Sequence, residues 1–150
     1  MKNTDLKSHP IFKKLDSLNL NPDEYIIMGS GIMYALGIRP IEEINDIDIL
    51  VSDSGWKKVK EFGEIIHNHQ NNTNVIPFLE GKLCIYDEWD PREYTFESVY
   101  KDVHFIKKYP FQSLESLLEL KAKRNKEKDK RHIGLILNYL EKDNIGPEGV

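Results

Sequence analysis

The chain has 150 residues, 31% of them charged, and a formal net charge of −4. That length suits one domain over residues 1–150, large enough to bury a core without disulfides or a structural metal. The acidic balance argues against a broad nucleic-acid-binding surface but leaves room for a local basic patch. A single cysteine, Cys84, excludes an internal disulfide and fits a reducing compartment.

Residues 1–7 lack the apolar run of a signal peptide, and no stretch approaches the roughly 18 apolar residues of a membrane span. A cytoplasmic protein is expected, with no membrane partner. Residues 9–19 carry Ile11, Phe12, Leu15 and Leu18 at helical spacing, and residues 19–23 read as a loop. Tyr25 to Met28 is a compact apolar run, the size of a buried strand. Gly29-Ser30-Gly31 breaks it with a sharp turn. Ser30 is a natural N-cap for a short helix through Ile32, Met33, Ala35 and Leu36, which Gly37 closes.

Asp46-Ile47-Asp48-Ile49-Leu50-Val51 alternates acid and aliphatic residue before an apolar end. On a strand, Asp46 and Asp48 share one face while Ile47 and Ile49 turn to the core. Their Cα atoms would lie about 6.6 Å apart. Two carboxylates so spaced can share a pair of hard cations about 3.5–4 Å apart. Mg²⁺ suits such oxygen ligands and takes substrate phosphates as well. A turn opening a helix offers backbone N–H groups to a phosphate. The plain alternative is a solvated strand edge beside an ordinary turn.

Further on, Ser52-Asp53-Ser54 caps a helix with Trp56, Val59, Phe62, Ile65 and Ile66 on its apolar face and Lys57, Lys58 and Lys60 in solvent. Residues 67–74 read as a polar loop, in which His67 and His69 lack a third metal ligand. Residues 75–79 and 83–86 read as two strands around Glu80-Gly81, with Pro77 marking the first as an edge strand or irregular. Residues 92–102 give no clear pattern. Residues 103–106 suit another strand, ended by Tyr109-Pro110. From Ser113 to about Lys142 the chain reads as two helices. Leu114, Leu117, Leu118 and Leu120 pack the first, and Ile133, Leu135, Ile136, Leu137, Tyr139 and Leu140 the second. The charged joint from Lys121 to Arg131 reads as solvated, and residues 143–150 as a loose tail.

The run from Gly29-Ser30 through a short helix to Asp46-Ile47-Asp48 resembles the polymerase-β-like nucleotidyltransferase superfamily. Gly37-Ile38-Arg39 with Asp46-Ile47-Asp48-Ile49 is similar, with a longer spacer, to small members of the lincosamide nucleotidyltransferase and AbiEii-toxin type. Leu120-Lys121-x-x-Arg124-x-x-x-Lys128-Asp129 is similar to their C-terminal signature. The resemblance implies an α/β (α+β) fold, a short mixed sheet flanked by helices with a C-terminal helical pair. It implies transfer of a nucleoside monophosphate from an NTP to an acceptor hydroxyl, with two Mg²⁺ ions. Asp46 and Asp48 would hold the metals, Gly29 and Ser30 the triphosphate, Lys128 would neutralise phosphate charge, and Arg39 would order the loop before the aspartates.

The chain departs from the pattern twice. Where the family has an acidic residue three positions after Asp129, this chain has His132. Where the family carries a third carboxylate, Cys84 stands, so the base is unassigned between Asp87 and Glu88. By strand parity Glu88 shares the face of Cys84 but lies roughly 13 Å along, and Asp87 would need a bulge to come round. A catalytically weak or inactive module that binds nucleotide or a partner is the alternative, and a structural domain the third. The expected partners are an NTP and a small-molecule, RNA or protein acceptor, and a homodimer is open.

Overall fold

A computed structural model of the chain describes residues 5–145. Among them a seven-stranded mixed sheet carries helices on both faces, in strand order β3-β4-β5-β2-β1-β7-β6. The strands are β1 (Tyr25–Met28), β2 (Ile47–Val51), β3 (Ile66–Asn68), β4 (Thr73–Phe78), β5 (Leu83–Tyr86), β6 (His104–Ile106) and β7 (Tyr109–Phe111). The helices are α1 (Pro10–Ser17), α2 (Gly31–Ala35), α3 (Asp53–Val59), α4 (Phe96–Tyr100), α5 (Leu114–Arg124) and α6 (Glu127–Ile145). The expected α+β class and the C-terminal helical pair are both present.

Strand β1 sits near the centre, antiparallel to β2 and parallel to β7. Its four residues are all buried, as a continuous apolar strand between two covered faces must be. Alternation then sorts them. Tyr25 and Ile27 join Ile47, Ile49, Leu83 and Ile85 in the larger core, with Phe12 and Leu15 of α1 and Ile32 and Met33 of α2. Ile26, Met28 and Leu50 join a smaller core with Tyr94, Val99 and Leu120. Asp48 falls between Ile47 and Ile49, so it shares the smaller-core face with Leu50.

Several expected boundaries shift. Helix α3 ends at Val59, and Phe62, Ile65 and Ile66 are exposed rather than its apolar face. The chain turns at Gly63, where any Cβ would sit 2.7 Å from Ile76 Cγ2, and then enters β3. Lys58, still partly in solvent, meets the buried Glu24, its Nζ 2.7 Å from Oε1. The polar stretch 67–74 is largely a hairpin. Ile66, His67 and Asn68 of β3 pair with Val75, Asn74 and Thr73 of β4, because the ladder satisfies the backbone whatever the side chains. Strand β4 is therefore interior, yet β3 is too short to reach Pro77, which needs no partner on that side.

Tyr109-Pro110-Phe111 does not end a strand but forms β7. Pro110 lacks an N–H, and the parallel link to β1 is made instead by the Gln112 N–H, 2.9 Å from the Ile27 carbonyl. Residues 96–100 are helical, capped by Thr95, whose hydroxyl accepts from the Ser98 N–H. Helices α5 and α6 part only at Asn125, in left-handed conformation at φ +52. On α6, Ile136 is fully buried while Leu135 and Leu137 are exposed, as a 3.6-residue period requires. Helix α6 continues to Ile145, past the expected end at Lys142; the rest of the expected tail lies outside the described residues.

Candidate active-site cleft

Strand β2 holds Asp48 between two neighbours. In register it faces Met28 of β1 on one side and Cys84 of the parallel β5 on the other. Asp46 lies just before the strand and is exposed, while Asp48 is half-buried. Burial, and after it the neighbouring Asp46 carboxylate, raises the Asp48 carboxyl to about 6, against the lowering pull of Arg124 and Lys128. The same environment raises the Cys84 thiol to about 11, through burial first and then the Asp48 and Asp46 charges.

The turn after β1 is pinned from across the sheet. Gly29 takes φ +68, open to glycine at little cost. Its N–H donates to Gln112 Oε1 at 2.9 Å, and Gln112 Nε2 donates to Ser116 Oγ at 2.8 Å. The Gly29 N–H is therefore already engaged, and the expected phosphate donor at this position is spent on the fold. Ser30 occupies the N-cap position of α2, but its hydroxyl makes no capping bond. Helix α2 closes on itself, with the Gly37 N–H on Tyr34 O and the Ile38 N–H on Met33 O. Arg39 follows, its guanidinium 4.8 Å above the Tyr34 ring and 3.5 Å from Glu43 Oε1.

The opposite wall comes from α5 and α6. Lys121, the expected start of a solvated joint, is 1% exposed, and Asp129 is 0% exposed. Arg124 Nη2 donates to Asp129 Oδ1 at 3.1 Å, and the Lys126 N–H to Oδ2 at 3.1 Å. Lys121 Nζ lies 3.5 Å from Asp129 Oδ1 and 2.9 Å from His132 Nδ1. His132 Nε2 in turn lies 3.3 Å from Arg39 Nη1. A buried acid that collects this many donors stays ionised, and Asp129 is held low by the Lys126 N–H and the Arg124 and Lys121 charges despite its burial.

Both walls enclose a cleft of about 420 Å³. Gly29, Ser30, Arg39, Asp46, Asp48 and Lys128 all line it. Sequence reasoning missed Lys121, Arg124, Arg131 and His132, which line it too, as well as Tyr34 and Trp89. Lys121 and Arg124 come from the end of α5 and Lys128, Arg131 and His132 from the start of α6, so the break at Asn125, and not one helical face, brings them together. Asp87 and Glu88 are not brought here. They line a separate pocket beyond Trp89. Asp87 is bonded to Asn74, and Glu88 pairs with Arg92. Among the described residues no group of three or more His, Cys, Asp or Glu side chains is placed to hold a metal. The donor set in the cleft is two carboxylates, one of them strained by the other's charge, which a hard cation would relieve.

No protein-family model matches the chain, and no curated protein matches it. It is similar to a crystal structure from Thermotoga maritima, described as that of a candidate nucleotidyltransferase. The identity is 18%, the match covers 86% of this chain and 89% of that one, and the TM-score is 0.49. Among the described residues no helix is long and apolar enough to cross a membrane.

Proposed function

We propose that the chain is a nucleotidyltransferase of the polymerase-β-like kind, in the small lincosamide nucleotidyltransferase and AbiEii-toxin group. It would move a nucleoside monophosphate from an NTP to a hydroxyl on a small molecule, an RNA end or a protein. The observation that carries this reading is one cleft with Asp46 and Asp48 on one wall and Lys121, Arg124, Lys128 and Arg131 on the other. Phosphoryl chemistry needs little covalent help from a protein. It needs positioning and charge stabilisation, which two such walls supply. Mg²⁺, when bound, would offset the phosphate charge and polarise the reacting phosphoryl group.

Asp46 and Asp48 would hold the metals. Arg124, Lys128 and Arg131 would orient the triphosphate, and the uncommitted Ser30 hydroxyl would donate to it. Trp89 lines the cleft, its ring 5.4 Å from Tyr86.

A second reading, nucleotide binding with slow or no transfer, draws on Cys84. It stands beside Asp48 where a third carboxylate would serve as base, and its raised thiol is a poor base at neutral pH. Calorimetry with ATP and Mg²⁺, followed by pyrophosphate release with candidate acceptors, separates the two. Binding with release supports transfer, and binding alone supports the second reading. No heat in the wild type, or unchanged affinity in both Asp46→Asn and Asp48→Asn, would sink both.

A further inference from the structure

Both ring nitrogens of His132 face a basic side chain, Lys121 Nζ at 2.9 Å from Nδ1 and Arg39 Nη1 at 3.3 Å from Nε2. A guanidinium only donates. The bond to Arg39 therefore needs the Nε2 lone pair, which leaves the single hydrogen of a neutral ring on Nδ1. That hydrogen points at Lys121, which accepts it only as a neutral amine. If Lys121 is an ammonium it donates to Nδ1 instead, the ring hydrogen moves to Nε2, and Arg39 loses its partner. Turning the ring over does not remove the conflict, because both sides are basic. One proton thus decides whether Arg39 is tied to α6. Its other two contacts, Glu43 and the Tyr34 ring, lie in its own segment.

We propose that, in alkaline solution, His132 is a positioning residue that keeps Arg39 docked on α6 until a polyphosphate enters the cleft, when one proton taken up by the Lys121–His132 pair releases Arg39 to the ligand. The inference rests on the anion-binding part of the proposed function, and not on catalysis. The protons balance. A solvent proton arrives at Nε2, the hydrogen on Nδ1 passes along the existing bond to Nζ, and Lys121 ends as an ammonium donating to Nδ1. Above about pH 8 the surroundings leave Lys121 largely neutral and so favour the docked state before the ligand arrives; at neutral pH Lys121 is largely an ammonium, held by Asp129. Burial first, then Arg124 and Lys128, lower Lys121 to about 8, with Asp129 opposing. Burial, Lys121, Arg39 and Arg131 lower His132 to about 4, again with Asp129 opposing. Lys121 lines the cleft, so a polyphosphate beside it favours the ammonium.

The test is ¹⁵N NMR of the imidazoles at pH 9, where free Lys121 is mostly neutral and the ATP phosphates are ionised, with His132 identified by its loss in His132→Gln. The free protein should show His132 with hydrogen on Nδ1, and the protein with ATP and Mg²⁺ should show it on Nε2. Calorimetry in two buffers of different ionisation enthalpy should report uptake approaching about one proton at pH 9 and falling toward zero near pH 7. Lys121→Met should abolish the uptake; if that variant does not fold, the wild-type spectra still decide. An unchanged His132 tautomer while amides around Ser30 and Asp48 shift on ATP addition would overturn this inference alone. No amide shifts anywhere in the cleft would overturn the anion-binding reading, and this inference with it.

Discussion

The two walls of the cleft are built on opposite plans. The acidic wall is presented by a strand whose neighbouring residues are buried apolar groups, with Asp46 exposed and Asp48 half-buried. Its charges are uncompensated within the wall, and they repel. The basic wall keeps one carboxylate, Asp129, sealed beneath its cations, and Arg124 and Lys121 are held by it. The acidic wall carries electrostatic stress. The basic wall holds its shape without a ligand. The difference separates residues whose loss should cost function from residues whose loss should cost the fold.

Asp129→Ala should have the largest effect, since it leaves Lys121 buried without its counter-charge. A loss of about 3–5 kcal/mol in urea-unfolding stability is expected. A loss below about 1 kcal/mol would mean that the two walls do not differ as described.

Next come Asp46→Asn and Asp48→Asn. Each should lower Mg²⁺-dependent transfer or nucleotide affinity by on the order of 10²–10³-fold, with melting temperature unchanged or raised. A melting temperature that collapses in both would place the acidic wall among the structural elements.

The third prediction concerns pH. His132 is held at about 4 in the folded chain, below its ordinary value near 6.5, so the unfolded chain binds more protons between those limits. Stability should fall by up to about 2.5 kcal/mol as pH drops from 6.5 to 4. Chemical denaturation across that range should show a flatter profile in His132→Gln.

Ser30→Ala should have the smallest effect on the fold, below about 0.5 kcal/mol, because its hydroxyl caps nothing. Ser52→Ala removes the hydroxyl that accepts from the Gly55 N–H and should cost about 1 kcal/mol. Nucleotide affinity should respond the other way round, weakening by up to about 2 kcal/mol in Ser30→Ala alone. Equal stability losses in the two variants would show that Ser30 is an ordinary cap.

The acidic wall was legible because it is local. Alternation over residues 46–51 places Asp46 and Asp48 on one face, and a glycine turn with a short helix accounts for the approach to it. The basic wall was not, because its cause is a set of contacts between residues 39, 121, 124, 129 and 132 that only folding brings together. Read along the chain, the same residues are a charged run, and charged runs usually meet water. Strand β7 was hidden for another reason. Three residues with a central proline carry the signature of an ending, and only pairing with β6 and β1 turns them into a strand. The α3 boundary failed because apolar spacing continued past Val59, while Phe62, Ile65 and Ile66 stay exposed.

The bond from the Gly29 N–H to the Gln112 side chain spans 83 residues of chain. In folding terms, the glycine turn beside the carboxylates cannot take its final form until β7 has slotted against β1. Contacts of such range form late, because a long loop must close before they repay its entropy. On a ribosome, β1 and β2 would emerge well before the residue that locks the turn between β1 and α2. A nascent chain would therefore carry both aspartates long before the turn beside them and the basic residues of α5 and α6 are in place. Assembly itself delays completion of the cleft until the molecule is nearly whole.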